Sequence, residues 1–211
     1  MSIKTSRFIV FEGIEGSGKS TVIRHLAMVL DRLHQDVVVT REPGGTVVAD
    51  HIRSVLLHAG SEDIHPYTEL CLLSASRAQH VMHVLKPAIA RGAWILCDRF
   101  TDSSLAYQGY GRGIPQAAIT YMNHLVADGV QPDCVIVCDI DVEHALERIK
   151  KRRKDRIEME DVRFFERIRQ GYLEIAKDSP IHHVIDSSKG QRQVLQDVMC
   201  HLGLQDALDI M

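Results

Sequence analysis

The stretch that decides the fold is "GIEGSGKS", Gly13 to Ser20. It fits the pattern Gly-x-x-x-x-Gly-Lys-Ser, and its surroundings meet both context tests for a phosphate-binding loop. The apolar run "RFIVFEG" before it reads as a buried strand, Arg7 to Glu12. After it, Val22, Leu26, Val29 and Leu33 share one face of a helix running from Lys19 to about Gln35. Gly13, Gly16 and Gly18 let the backbone bend and turn its N–H groups inward. The helix N-terminus adds partial positive charge. Gly13, Ile14, Glu15, Gly16, Ser17 and Gly18 thus form a cradle for phosphates. Lys19 is placed for the β- and γ-phosphates, the Ser20 hydroxyl for Mg²⁺ and Thr21 for the α-phosphate. The donor implied is a purine nucleoside triphosphate, ATP. The loop does not say where the phosphate goes.

Working outward, strands and helices alternate. "DVVVTRE" is a second strand, Val47 to His58 a short helix and Pro66 to Arg91 a long one with proline in its first turn. "AWILCDRF" is a third strand, Pro115 to Ala127 a helix, "DCVIVCDI" a fourth strand and Val142 to Lys150 a helix. Asp161 to Lys177 is helical, "HHVID" is a fifth strand, and Gln191 to Leu202 is a closing helix. Near-continuous apolar strands separated by helices imply an α/β chain: a three-layer α/β/α P-loop NTPase fold, its five-stranded parallel sheet flanked by helices. We expect one domain over residues 1–211, with ligands at the carboxyl ends of the strands.

Bulk properties narrow the classes. A net charge of −3 gives no general pull towards nucleic acid. No apolar run is long enough for a membrane span or a signal peptide, so a cytoplasmic protein with no membrane partner is expected. Cys71, Cys97, Cys134 and Cys138 sit in apolar runs and read as reduced core residues. His80 and His83, one helical turn apart, read as a solvated helix face rather than a metal site. No Ser-His-Asp constellation stands out.

"CDRF", Cys97 to Phe100, puts an acid and a guanidinium at the end of a buried strand. Asp98 is placed to hold the metal with Ser20, and Arg99 to grip a second phosphate. "REPGGT" (Arg41 to Thr46) ends strand two, "SASRAQH" (Ser74 to His80) lies on the long helix, and "SSLAYQGYGRGI" (Ser103 to Ile114) follows strand three. Together with the phosphate loop, in this order and spacing from Phe8 to about Leu202, these segments resemble the thymidylate kinase family. The resemblance implies an enzyme that phosphorylates dTMP to dTDP with Mg-ATP, and a homodimer. It implies that Arg53 and Arg99 hold the dTMP phosphate and that Arg77 meets thymine O4. Gln108 and Ser104 would meet the N3 and O2 side, Tyr107 would sit near C2′, and Glu42 would line the sugar and metal side. The sequence departs from the family at Leu73, where a phenylalanine usually stacks on thymine; Tyr67 is the neighbouring aromatic that could compensate.

"RIKKRRKDRIEMED", Arg148 to Asp161, packs six basic residues into Lys150 to Arg156. No aromatic interleaves them, which argues against a nucleic-acid patch. Phosphoryl transfer needs positive charge at the equatorial oxygens, and a mobile lid over about residues 148–160 would bring it. Some thymidylate kinases carry an arginine in the phosphate loop; others carry it in the lid, and this chain resembles the second kind. Arg153 and Arg156 are then the catalytic lid arginines, beside Lys19 and Arg99, with Arg152 next. Glu15 would point away from the donor and accept the sugar 3′-hydroxyl. Three alternatives stay open on the sequence: a kinase of this fold with another acceptor such as dUMP, a nucleotide-binding switch, and a nucleic-acid-dependent ATPase.

Overall fold

A computed structural model describes residues 7–58, 63–150 and 154–210. Strands β1 (Arg7–Glu12), β2 (Val37–Arg41), β3 (Trp94–Asp98), β4 (Cys134–Asp139) and β5 (His182–Asp186) form one sheet in the order β2-β3-β1-β4-β5. Every pairing is parallel. The central strand β1 shows why the sequence specifies this. Phe8 and Val10 enter one core layer, Ile9 and Phe11 the other, and all four are buried. Alternate side chains leave opposite faces of a strand, so a wholly apolar strand requires cover on both. Helices α1 (Lys19–Arg32) and α9 (Gln191–Leu202) cover one face with Leu26, Leu30, Val198 and Met199. The other layer is closed by α8 (Val162–Ala176), which contributes Phe164, Phe165 and Ile168.

The remaining helices are α2 (Val47–Leu57), α3 (Pro66–His80), α4 (Lys86–Ala90), α5 (Thr101–Ser104), α6 (Gln116–Ala127) and α7 (Val142–Ile149). The expected long helix from Pro66 to Arg91 is interrupted by a π-helical turn, Val81–Leu85. Pro87 lies just beyond it and has no N–H to give the preceding turn, a cause the proline itself advertises. The segment after β3, left without an element by the sequence, is helical: α5 runs into a second π-helical turn, Leu105–Gly111. It packs against α8 closely enough that a Cβ on Gly171 would lie 2.7 Å from the Tyr110 ring. A six-residue 3₁₀ helix, Gln205–Ile210, ends the described chain.

Three burial expectations are corrected. Cys71 is exposed, because it falls on the outer side of α3, while Cys97, Cys134 and Cys138 are buried. His80 is fully buried rather than solvated, because α3 turns it onto β2, whereas His83 is exposed. Tyr67 is 52 % exposed and stacks on His65, so it offers no wall to the cleft. Among the described residues no helix is long and apolar enough to cross a membrane.

Candidate active site

The carboxyl ends of β1, β2 and β3 open into one cavity of about 740 Å³ that runs from the phosphate loop to α3. At its donor end the loop backbone is set by left-handed glycines, Gly16 at φ 76° and Gly18 at φ 94°. Gly16 also passes so close to α7 that an added Cβ would lie 2.1 Å from the Ala145 carbonyl oxygen. Lys19 is buried, and its ammonium curls back onto the loop, donating to the carbonyls of Gly13 (2.9 Å) and Ile14 (3.0 Å). Burial, and then nearby Arg99, push its pKa down. Ser20 Oγ donates to Asp98 Oδ2 at 3.0 Å, so two side-chain oxygens stand together where β3 ends. Arg148, which the sequence placed only at the start of the basic run, donates to Gly16 O (3.2 Å) and Ser187 O (3.0 Å). It ties the phosphate loop to the end of β5.

Between the two ends lies Arg99, a non-glycine residue in the left-handed region at φ 74°. Such a conformation is uncommon and persists where its surroundings fix it. Glu12 does the fixing. Its buried carboxylate accepts from Phe100 N (2.8 Å), Ser103 N (3.3 Å), Ser103 Oγ (2.6 Å) and Tyr172 OH (2.9 Å). Burial, and then Asp102, raise its pKa above the usual carboxylate range. The Arg99 guanidinium lies over the Tyr107 ring, 4.8 Å from its centroid, and donates to Tyr172 OH and to Glu15 Oε1, both at 2.9 Å. Tyr107 OH donates to Glu15 Oε2 at 2.6 Å. Burial pushes the Tyr107 hydroxyl well up, which keeps it a donor. The Glu15 carboxylate is therefore turned from the donor loop to the Arg99–Tyr107 side.

The far end is walled by Leu73, Arg77, Ser104 and Gln108. Arg77 is buried and heavily committed. Nε donates to Glu42 Oε2 (2.6 Å), Nη1 to Ser104 Oγ (3.1 Å) and Asn123 Oδ1 (2.5 Å), and Nη2 to Phe100 O (2.8 Å). A guanidinium has five N–H groups, so one Nη2 hydrogen is left over by these four bonds. Glu42 also accepts from His80 Nδ1 at 2.9 Å, while His80 Nε2 pairs with the Thr40 hydroxyl at 2.7 Å. Glu42 thus holds Arg77 in place from the cavity wall. Arg53, half-buried on the cavity wall, donates to Pro43 O at 3.0 Å. Burial, then Arg41 and Arg99, lower its pKa.

Most of the residues picked from sequence therefore meet in one cavity: Glu15 to Thr21, Glu42, Arg53, Leu73, Arg77, Asp98, Arg99, Ser104, Tyr107, Gln108 and Arg156 all line it. Gly13 and Ile14 lie behind it in the loop. Arg153 and Arg152 fall outside the described residues. Arg156 reaches the acceptor end rather than the donor loop. It donates to Leu56 O at 2.8 Å and pairs with Glu69. Glu12, Glu69, Arg148 and Tyr172 were not picked out; only Glu12, a lone charge closing an apolar strand, carried a local signal. A hydrogen-bonded string of Ser179, His182 and Asp102 (2.6 and 2.7 Å) does exist, but none of the three lines the cavity.

Comparison with known proteins decides the family. The thymidylate kinase family profile matches residues 11–198. The chain belongs to the thymidylate kinase family. It is 46 % identical over 194 residues to a thymidylate kinase of Geotalea uraniireducens, covering 88 % of this chain and 91 % of that one. It is 47 % identical over 196 residues to one from Pelotomaculum thermopropionicum, covering 92 % and 91 %. A crystal structure of thymidylate kinase from Ehrlichia chaffeensis superposes with a TM-score of 0.77 at 36 % identity, covering 93 % of this chain and 98 % of that one. The three-layer α/β/α architecture with five parallel strands is that family's fold.

Proposed function

We propose that this thymidylate kinase family member transfers the γ-phosphoryl group of Mg-ATP to dTMP. The observation that carries the reading is the joining of a phosphate loop and a polar-walled pocket in one cavity, with Arg99 between them. Phosphates of ATP would lie on the loop amides, and Lys19 would leave the carbonyls of Gly13 and Ile14 to meet them. Ser20 Oγ and Asp98 Oδ2, adjacent oxygens on rigid elements, suit a hard divalent cation. Mg²⁺ held there would neutralise charge on the transferring group.

At the acceptor end, Arg99 and Arg53 would take the dTMP phosphate. Glu15 would orient the sugar 3′-hydroxyl with Tyr107 beneath it. The remaining Nη2 hydrogen of Arg77 suits thymine O4, and Gln108 Oε1, buried and without a hydrogen-bond partner, suits an N–H of the base. Leu73 supplies an apolar wall without a ring. The monoester needs no strong base, since its second pKa is about 6 and the attacking oxygen is largely ionised at neutral pH. Alignment and positive charge then do the chemistry. Arg148 is a donor-side cation already on the loop, and Arg153 and Arg156 would complete the charge on lid closure.

A second copy would cover the apolar side chains exposed on α2 (Val47, Val55) and α6 (Tyr121, Leu125), consistent with the homodimer the family suggests. The test of function is ADP formation from Mg-ATP with dTMP, dUMP, UMP, dCMP, dGMP and AMP in turn. Turnover led by dTMP supports the reading. Turnover led by another nucleotide removes the thymine assignment, and ATP hydrolysis indifferent to acceptor removes the kinase.

A further inference from the structure

Gln108 lies in the second π-helical turn, buried in the cavity wall, and its two amide ends are treated differently. Nε2 donates to Glu69 Oε1 at 2.7 Å. Oε1 is buried and has no hydrogen-bond partner. Glu69, on α3, is only 2 % exposed and carries two guanidiniums besides the amide. Arg156 pairs with Oε2, and Arg112 Nε lies 3.5 Å from Oε1. A carboxylate held by cations only accepts hydrogen bonds. It therefore takes the NH₂ end of Gln108, which leaves the carbonyl end as the unpaired acceptor of a residue that lines the cavity. A buried acceptor in a low-dielectric wall stays costly until an N–H meets it.

We infer that Glu69 is a specificity-determining positioning residue, which fixes the Gln108 amide so that the acceptor pocket selects bases presenting an N–H to Gln108 Oε1. Thymine and uracil carry such a group at N3. Cytosine carries an acceptor there and would set lone pair against lone pair. The selection acts on the imide edge and ignores the 5-methyl group. The inference rests on the proposed reading of the cavity as a pyrimidine nucleotide acceptor site. Glu69 also explains a linkage across the cavity, since the carboxylate that orients the base reader is the one that seats lid residue Arg156.

Glu69→Gln tests it, because a neutral amide gives as readily as it takes and leaves Gln108 free to reverse. Affinities for dTMP, dUMP and dCMP are measured by titration calorimetry on the wild type, on Glu69→Gln and on the swap Glu69→Gln/Gln108→Glu. In Glu69→Gln the dTMP and dUMP affinities should fall together, and the dTMP-to-dCMP preference should drop about tenfold, the factor that the upper range of one net hydrogen bond gives. In the swap, the amide now on α3 donates to the carboxylate now in the π-helical turn, whose other oxygen again only accepts. The preference should then return to within about threefold of wild type, well inside one tenfold step. A merely structural role for Glu69 lowers all three affinities alike, and an unchanged preference in Glu69→Gln overturns the inference. Should that variant fail to fold, the swap decides alone, and loss of the preference there overturns it too. A wild type that binds no pyrimidine nucleotide fails the proposed function itself, and the inference falls with it.

Discussion

Replacing Glu12 should separate two things a buried carboxylate can do, supply charge and accept hydrogen bonds. Four donors converge on it, from Phe100 N, Ser103 N, Ser103 Oγ and Tyr172 OH. Glu12→Ala removes the acceptor for all four at about 1 kcal/mol net each, or about 4 kcal/mol together. For a chain of this size that lowers Tm by about 8–16 °C. Glu12→Gln keeps the shape. Its carbonyl can take the two backbone donors, and its NH₂ can give to the Ser103 and Tyr172 oxygens, which accept as well as donate. The glutamine variant should therefore lie within about 1 kcal/mol of wild type, or about 2–4 °C. The pH dependence follows from the raised Glu12 pKa. A carboxyl whose folded pKa lies above its ordinary 4.5 contributes stability that is complete below 4.5 and lost as pH rises through the folded value. Glu12→Gln does not titrate, so it should gain on wild type as pH is raised above 4.5, followed from about 5 to about 8. The assay is thermal denaturation followed by circular dichroism across that pH range. Equal losses in both variants would refute the reasoning, since they would make the charge, not the acceptor pattern, what holds the Arg99 turn.

Other outcomes follow from single features. Gly16→Ala puts a Cβ 2.1 Å from the Ala145 carbonyl and a side chain at φ 76°, so ATP affinity measured by calorimetry should fall at least about tenfold while dTMP affinity holds. Leu73→Phe restores a ring to the pocket wall, and the dTMP Kd should tighten about fivefold, from about 1 kcal/mol of stacking. Arg156→Ala takes one of two cations from Glu69, which keeps Arg112 and Gln108, and removes a proposed lid cation, so steady-state kinetics should show kcat falling more than either KM rises. Cys138 has its pKa pushed up to about 11 by burial, so at a pH of about 8 only about 0.1 % is thiolate. Iodoacetamide on the native protein should label exposed Cys71 and Cys200 and leave Cys97, Cys134 and Cys138 unmodified, as peptide mass spectrometry will show.

β1, β3 and β4 were legible because each is a short apolar run closed by a polar or glycine residue, and burial on both sides of a parallel sheet demands that pattern, whereas the edge strands β2 and β5 are only partly buried. β1 and β5 have the bounds read from the sequence. Strand order was not legible, since nothing local says that β1 lies between β3 and β4. The Thr101–Gly111 helices were missed because Gly109 and Gly111 argue against a helix, and tertiary packing on α8 overrides that local preference. His80 read as solvated for a similar reason: the partners that bury it, Thr40 and Glu42, are about 40 residues away and reach it only through β2. In the site, most of the cavity-lining residues named above were found by motif. Those that hold them, Glu12, Glu69 and Tyr172, were not, because a positioning side chain is defined by contacts distant in sequence. Arg156 shows the limit of motif reasoning from the other side. Its residue type marked it for positive charge on lid closure, and only the structure shows that its guanidinium pairs with Glu69 at the acceptor end.

The most direct measurement is a competition. Mg-ATP is supplied with equal concentrations of dTMP, dUMP, UMP, dCMP, dGMP and AMP in one vessel, and the nucleoside diphosphates formed at early times are resolved by mass spectrometry. The account predicts that dTDP dominates and that Lys19→Ala abolishes it. A different leading diphosphate, or dTDP formed equally well by Lys19→Ala, would contradict the joining of this phosphate loop to a thymine-reading pocket.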